Sequence, residues 1–119
     1  MSGIKDWDEY NAAARGRGRE LNGLHPELVK GFGALSRGAA TTKHLDAKTR
    51  ELIALAVAIT TRCDGCIDAH VRKAKQAGAS KEEMAEALGV AIALNAGAAF
   101  THALHVLDAA GDEPAAAAA

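Results

Sequence analysis

The chain has 119 residues, 49% hydrophobic and 24% charged, with a formal net charge of -1; that is one domain with a core of its own, not two. About a quarter of the residues are alanine, with 12 glycines, 2 prolines and 3% aromatics, which favours thin, closely packed helices over a β-sandwich. The near-zero charge excludes the basic footprint of a nucleic-acid binder, and no apolar run reaches the ~20 residues of a membrane span.

Trp7, Tyr10, Ala14 and Leu21 mark a first helix, weakened by Gly16 and Gly18. The segment before it, Met1 to Asp6, has no apolar stretch of the signal-peptide kind, so a cytoplasmic protein is expected. Pro26 suits the first turn of a second helix, whose stripe is Val29, Phe32 and Leu35 and whose end falls near Gly38. A loop from Ala39 to Leu45 leads to Asp46, a good N-cap for a third helix. From Leu52 to Ile59 that helix is apolar on every side, and a helix apolar all round is buried all round. In so small a domain, part of that surface has to meet another subunit, so a homo-oligomer is expected.

Asp64-Gly65 reads as a turn into a fourth helix that stops at Gly78, with Asp64 at its N-cap. Ser80-Lys81-Glu82-Glu83 fits a capping box and opens a fifth, carrying Met84, Leu88, Ala91 and Ile92 on one face. Asn95-Ala96-Gly97 reads as a break, after which Phe100, Leu104 and Leu107 carry a last helix to Gly111. The expectation is an all-α fold of about six helices in a single domain over residues 1–114. The alanine tail 115–119 is too uniform to specify packing.

Chemistry concentrates in the stretch ELIALAVAITTRCDGCIDAH, where Glu51, Cys63, Cys66 and His70 stand out. Two cysteines in a cytosolic chain are a poor structural staple. On a helix, the spacings i, i+3 and i+7 put Cys63, Cys66 and His70 on one face. Spacing alone does not tell whether Glu51, one helix earlier, comes near them.

The thiolate is the nucleophile, and a thiol with an ordinary pKa of ~8.5 is mostly protonated at neutral pH. A helix N-terminus and an imidazole both favour the thiolate, and a carboxylate can orient the imidazole. Asp64 opposes this with its negative charge, and Arg62 is the sequence neighbour able to offset it. A second thiol one turn away can trap an oxidised sulfur as a disulfide before over-oxidation.

Each element also has a plainer reading. Cys-x-x-Cys occurs in zinc sites, where His70 with His102 or His105 would have to complete the ligand set. The thioredoxin alternative lacks its βαβ surroundings. Glu51 alone is a favourable charge near a helix start. Arg15, Arg17 and Arg19 read as a solvated helical face, His102 and His105 as polar positions at a surface or subunit contact. His25 and His44 carry no signal.

The segment from Glu51 to His70, followed by AGASKEEMAEALGVAIALNAG, resembles the alkylhydroperoxidase D-like and carboxymuconolactone decarboxylase superfamily. The match is a glutamate, eleven residues, Cys-x-x-Cys, three residues and a histidine, and it extends over roughly Thr41 to Ala110. The resemblance implies a small all-α subunit of a homo-trimer or homo-hexamer. It further implies thiol-dependent peroxidase activity without haem, flavin or metal. On that pattern Cys66 attacks the peroxide, Cys63 resolves the sulfenic acid, and Glu51 and His70 relay protons; a helix-dipole argument alone would exchange the two cysteines. The implied partners are a peroxide substrate and an external dithiol, such as a lipoyl-bearing protein. One departure is visible: the family's peroxidase pattern can carry a histidine between the cysteines, where this chain has Asp64-Gly65. The competing readings are a carboxymuconolactone decarboxylase-type enzyme, which has no need of a redox dithiol, and a non-catalytic oligomeric redox sensor.

Overall fold

The computed structural model describes residues 3–114 and 116, so the expected tail 115–119 lies, apart from Ala116, outside the described residues. Five helices follow in order: α1 (Trp7–Leu24), α2 (Pro26–Ala40), α3 (Ala47–Thr60), α4 (Asp64–Gln76) and α5 (Lys81–Ala110). No strand occurs among the described residues. The all-α expectation holds.

The helix starts are set by short polar side chains meeting otherwise unpaired N–H groups. Asp6 accepts from Glu9 N at 3.0 Å and Asp46 from Thr49 N at 2.8 Å. Pro26 occupies the first turn of α2. At α5 the capping box forms in both directions, Glu83 N to Ser80 Oγ and Ser80 N to Glu83 Oε1, each at 3.0 Å. Gly78 ends the α4 segment with a φ of 86°, a conformation that costs glycine nothing.

Two details differ from expectation. The break at Asn95-Ala96-Gly97 does not form, so the expected fifth and sixth helices are one. Asn95 Nδ2 donates to Ala91 O, one turn back in the same helix, at 2.7 Å. A single interior glycine costs only about 1 kcal/mol, and the surrounding alanines are the strongest helix formers. The second difference is the cap of α4, which is Cys63 rather than Asp64.

α3 is the centre of the fold, packed against α4 on one side and the first half of α5 on the other; α1 lies on α2 and touches α4. The apolar residues buried within the chain are Leu55, Ala58, Ala74 and Ala91, with Glu51 and Asp68 buried among them. Within the single chain α3 is covered only in part: Ile53 and Val57 are about half exposed (49% and 54%). Phe32, Leu35, Ile92, Phe100, Leu104 and Leu107 are also exposed.

The chain is correspondingly open. Its radius of gyration is 20.3 Å, against ~13.5 Å for a compact domain of this length. Its accessible area is 9628 Å², against roughly 6,100 Å² for a folded monomer of this mass. By length and composition α5 could cross a membrane, although no uninterrupted apolar run of that length stands in the sequence. Its first half is engaged with α3, and Lys48 Nζ holds Glu83 Oε2 at 2.9 Å at its start.

Candidate active site

The site is built on the reversal between α3 and α4. Arg62 takes a left-handed conformation (φ 54°), uncommon for a side-chain-bearing residue, and Cys63 N returns to Ala58 O at 3.0 Å. The chain thereby folds back, so that α4 lies along α3 and its N-terminus opens at the two cysteines. Cys63 and Cys66 form a disulfide with a Cα–Cα distance of 5.2 Å. The Cys66 N–H donates to Cys63 Sγ at 3.1 Å, so one sulfur of the pair also caps the helix.

The same reversal brings Glu51 against His70, which spacing alone left open. Glu51 is buried (5% exposed), and its Oε2 lies 2.5 Å from His70 Nδ1. A carboxylate only accepts, so Nδ1 carries the hydrogen and Nε2 is the nitrogen left for chemistry. His70 stands one helical turn beyond Cys66 on α4. The four expected residues therefore form two adjoining pairs, a dithiol at the helix N-terminus and a carboxylate–imidazole pair beside it.

The charge of Asp64 is answered by a residue distant in sequence. Lys5 Nζ lies 2.6 Å from Asp64 Oδ2, and this hydrogen bond raises the lysine above its ordinary value of 10.5. Arg62, the neighbour expected in that role, makes no ion pair among the described residues. Lys5 also sits 4.9 Å from the centre of the Tyr10 ring. Tyr10 Oη reaches the backbone between the cysteines: a Cβ built on Gly65 would lie 3.5 Å from it. The first turn of α1 is thus a wall of the dithiol end.

At the other end a groove of ≈ 310 Å³ runs beside the Glu51–His70 pair, lined among others by Ser36 and Ala39 from α2, Arg50 from α3 and Lys73 from α4. Arg50 Nη1 donates to Thr42 Oγ1 at 2.9 Å, and its Nε stands 3.6 Å from Glu51 Oε1.

Other residues singled out in the sequence stay outside this arrangement. His102 and His105 stack on the exposed second half of α5, 4.5 Å between ring centres, beside a separate surface cavity containing Leu94 and Thr101. They do not join the cysteines, and no cluster of three or more potential metal ligands occurs among the described residues. Arg15, Arg17 and Arg19 are exposed on α1, with Arg17 paired to Glu20 at 2.6 Å. His44 is exposed and His25 joins α1 to α2.

Residues 26–109, which hold both pairs, match the model of the carboxymuconolactone decarboxylase family. The chain belongs to that family. Its relatives within and around the family include an uncharacterised protein of Haemophilus influenzae, 52% identical over 104 residues, which span 87% of this chain and 92% of the relative. Another is uncharacterised protein 4 in the cox locus of Paracoccus denitrificans, 46% identical over 80 residues, 65% of this chain and 72% of that one. The fold is similar to the crystal structure of a carboxymuconolactone decarboxylase family protein from Legionella pneumophila. The two share 32% identity and a TM-score of 0.70 over 87% of this chain and 92% of that one.

Lys5, Tyr10, Arg50 and Lys73 were not found by sequence reasoning. Lys73 had a usable signal, three residues beyond His70 on the same helical face, and Arg50 adjoins Glu51. Lys5 and Tyr10 had none, since nothing local ties them to a turn more than fifty residues away.

Proposed function

We propose that this member of the carboxymuconolactone decarboxylase family is a thiol-dependent peroxidase that cycles between a Cys63–Cys66 dithiol and a disulfide. The observation that carries the reading is the Glu51–His70 pair at 2.5 Å standing one turn from that disulfide. A decarboxylase needs no redox dithiol.

In the first step Cys66 passes its thiol proton to His70 Nε2, and the resulting thiolate attacks one peroxide oxygen. A sulfur–oxygen bond forms, the oxygen–oxygen bond breaks, and the departing alkoxide takes a proton from His70 to leave as an alcohol. Cys66 becomes a sulfenic acid. Cys63 then attacks the Cys66 sulfur, the sulfur–oxygen bond breaks, and hydroxide leaves as water with the proton given up by the Cys63 thiol, giving the disulfide. An external dithiol returns two electrons and two protons by thiol–disulfide exchange and becomes a disulfide itself. Glu51 holds the imidazole in one tautomer through Nδ1, so proton exchange runs at Nε2. Cys63, at the N-cap, has helix N–H groups to stabilise its thiolate both when it resolves and when the external dithiol displaces it.

The reading includes assembly as a homo-trimer or homo-hexamer, supported by the exposed apolar surface of α2, α3 and α5. It includes a cytoplasmic location, a lipoyl-bearing protein as the dithiol donor, and neither nucleic acid nor membrane as partner. No haem, flavin or metal enters the scheme.

Intact mass and free-thiol counts after one equivalent of peroxide test it. Wild-type protein loses both thiols with no added oxygen mass, and dihydrolipoamide restores them repeatedly. Cys63→Ser gains one oxygen at Cys66, and Cys66→Ser loses peroxide turnover. Thiols that stay reduced, or full turnover in Cys66→Ser, would refute the proposal. A single oxidation without cycling would leave a redox sensor instead.

A further inference from the structure

Two cations in the site groove are incompletely partnered: Arg50 reaches Glu51 only at 3.6 Å, and Lys73 makes no ion pair among the described residues. Arg50 and Lys73 line both the ≈ 310 Å³ groove that contains Glu51 and His70 and an adjoining cavity of ≈ 360 Å³. The guanidinium is only partly satisfied. Nη1 bonds Thr42, but Nε is buried without a hydrogen-bond partner. Its nearest carboxylate oxygen, Glu51 Oε1, stands 3.6 Å away, beyond hydrogen-bond range, while the other oxygen of Glu51 is taken by His70. A buried donor with no acceptor is unfavourable and uncommon, and each instance calls for an explanation.

Lys73 makes no ion pair among the described residues, whereas Lys5 and Lys48 each hold a carboxylate. The groove thus presents two positive groups against one carboxylate that is already engaged. A guanidinium and an ammonium facing one cavity are complementary to a carboxylate, which accepts several charge-assisted hydrogen bonds at once.

We propose that Arg50 and Lys73 form a carboxylate subsite that makes this site selective for organic hydroperoxides bearing a carboxylate. The substrate class rests on the peroxidase reading above; the subsite itself does not. Lys73 stands seven residues beyond Cys66 on α4, which at ~1.5 Å per residue is roughly 10 Å along the helix axis. The favoured substrate holds its carboxylate and its oxygen–oxygen bond apart by a spacer the size of one aromatic ring or a short chain.

Cumene hydroperoxide carrying a para-carboxylate, and the methyl ester of the same compound, make a matched pair of substrates. 4-Isopropylbenzoate is the unreactive probe of the subsite. The expected wild-type kcat/KM is at least about tenfold higher for the acid than for the ester, the scale of a charge-assisted hydrogen bond. The acid-to-ester ratio falls toward one in Arg50→Gln and in Lys73→Met, whatever each variant does to the absolute rate. Calorimetric titration of the full-length disulfide form shows 4-isopropylbenzoate binding that either substitution weakens by a similar factor. Lys73 is exposed, so Lys73→Met tests the subsite even if Arg50→Gln disturbs folding.

Equal wild-type rates for acid and ester would overturn the proposal. So would probe binding that is absent, or unchanged in both variants. Probe binding that depends on Arg50 and Lys73, with no turnover of any hydroperoxide, would uphold the subsite and overturn the peroxidase reading.

Discussion

Phe100→Asp places a carboxylate in the middle of the second half of α5, where Phe100, Leu104 and Leu107 are 74%, 53% and 70% exposed in the single chain. If these side chains are buried between subunits, the substitution removes an aromatic anchor worth about 2–3 kcal/mol and adds a charge that has to be desolvated. A loss of ~3 kcal/mol per chain weakens association about a hundredfold. The area supports a large effect. The chain exposes 9628 Å², some 3,500 Å² above the expectation for a folded monomer, where a standard contact takes ~800 Å² from each partner. Light scattering coupled to size-exclusion chromatography across a hundredfold range of protein concentration reads the outcome. Wild-type protein is expected to elute as one assembly without monomer. Phe100→Asp dissociates on dilution, and its melting temperature becomes concentration-dependent, because the apolar residues buried within one chain are few and mostly alanine. A wild-type monomer with a sharp, concentration-independent melt would refute the reasoning, as would an assembly that Phe100→Asp leaves intact.

Glu51→Gln keeps a hydrogen-bonding side chain beside His70 but removes the carboxylate, and is expected to slow peroxide-driven disulfide formation by about a hundredfold; an unchanged stopped-flow rate would take Glu51 out of the mechanism. Ser80→Ala removes half of the α5 capping box and should cost about 1 kcal/mol, seen as a melting temperature lower by a few degrees. The carboxyl of Glu83 is held below its ordinary value of 4.5, first by the hydrogen bond to Lys48 and then by Ser80 N–H. Asp46 is held below 3.8 by Thr49 N–H. A lowered pKa in the folded state contributes stability that is complete above the unfolded value and lost as pH falls through the folded one. Melting temperature should therefore drop progressively below pH ~4.5, and the part due to Glu83 should be missing in Glu83→Gln.

Much of the fold was legible because it is written in local signals. Asp46, Ser80 and Glu83 are cap residues at spacings that only a helix start exploits, and Pro26 marks the start of α2 in the same way. The break expected at Asn95 failed because a local breaker competes against a run of alanines that favour the helix, and Asn95 turned back onto its own helix instead. In the site, Cys63, Cys66 and His70 were legible from one helix face. The approach of Glu51 was not, since it depends on the reversal set by Arg62, a residue type with no preference for that conformation. Lys5 was invisible because its partner Asp64 is met only through the fold.

The contact between Tyr10 and Gly65 makes one end of the chain answerable for a residue far from it. A methyl group at position 65 would be in ordinary contact with the phenol oxygen of Tyr10, so a larger side chain there has to turn away from α1 or move the phenol. The side of Gly65 that faces the N-terminal helix is therefore bounded by Tyr10. A change at Lys5 or Tyr10, within the first ten residues, would thus reach the turn that holds the sulfurs.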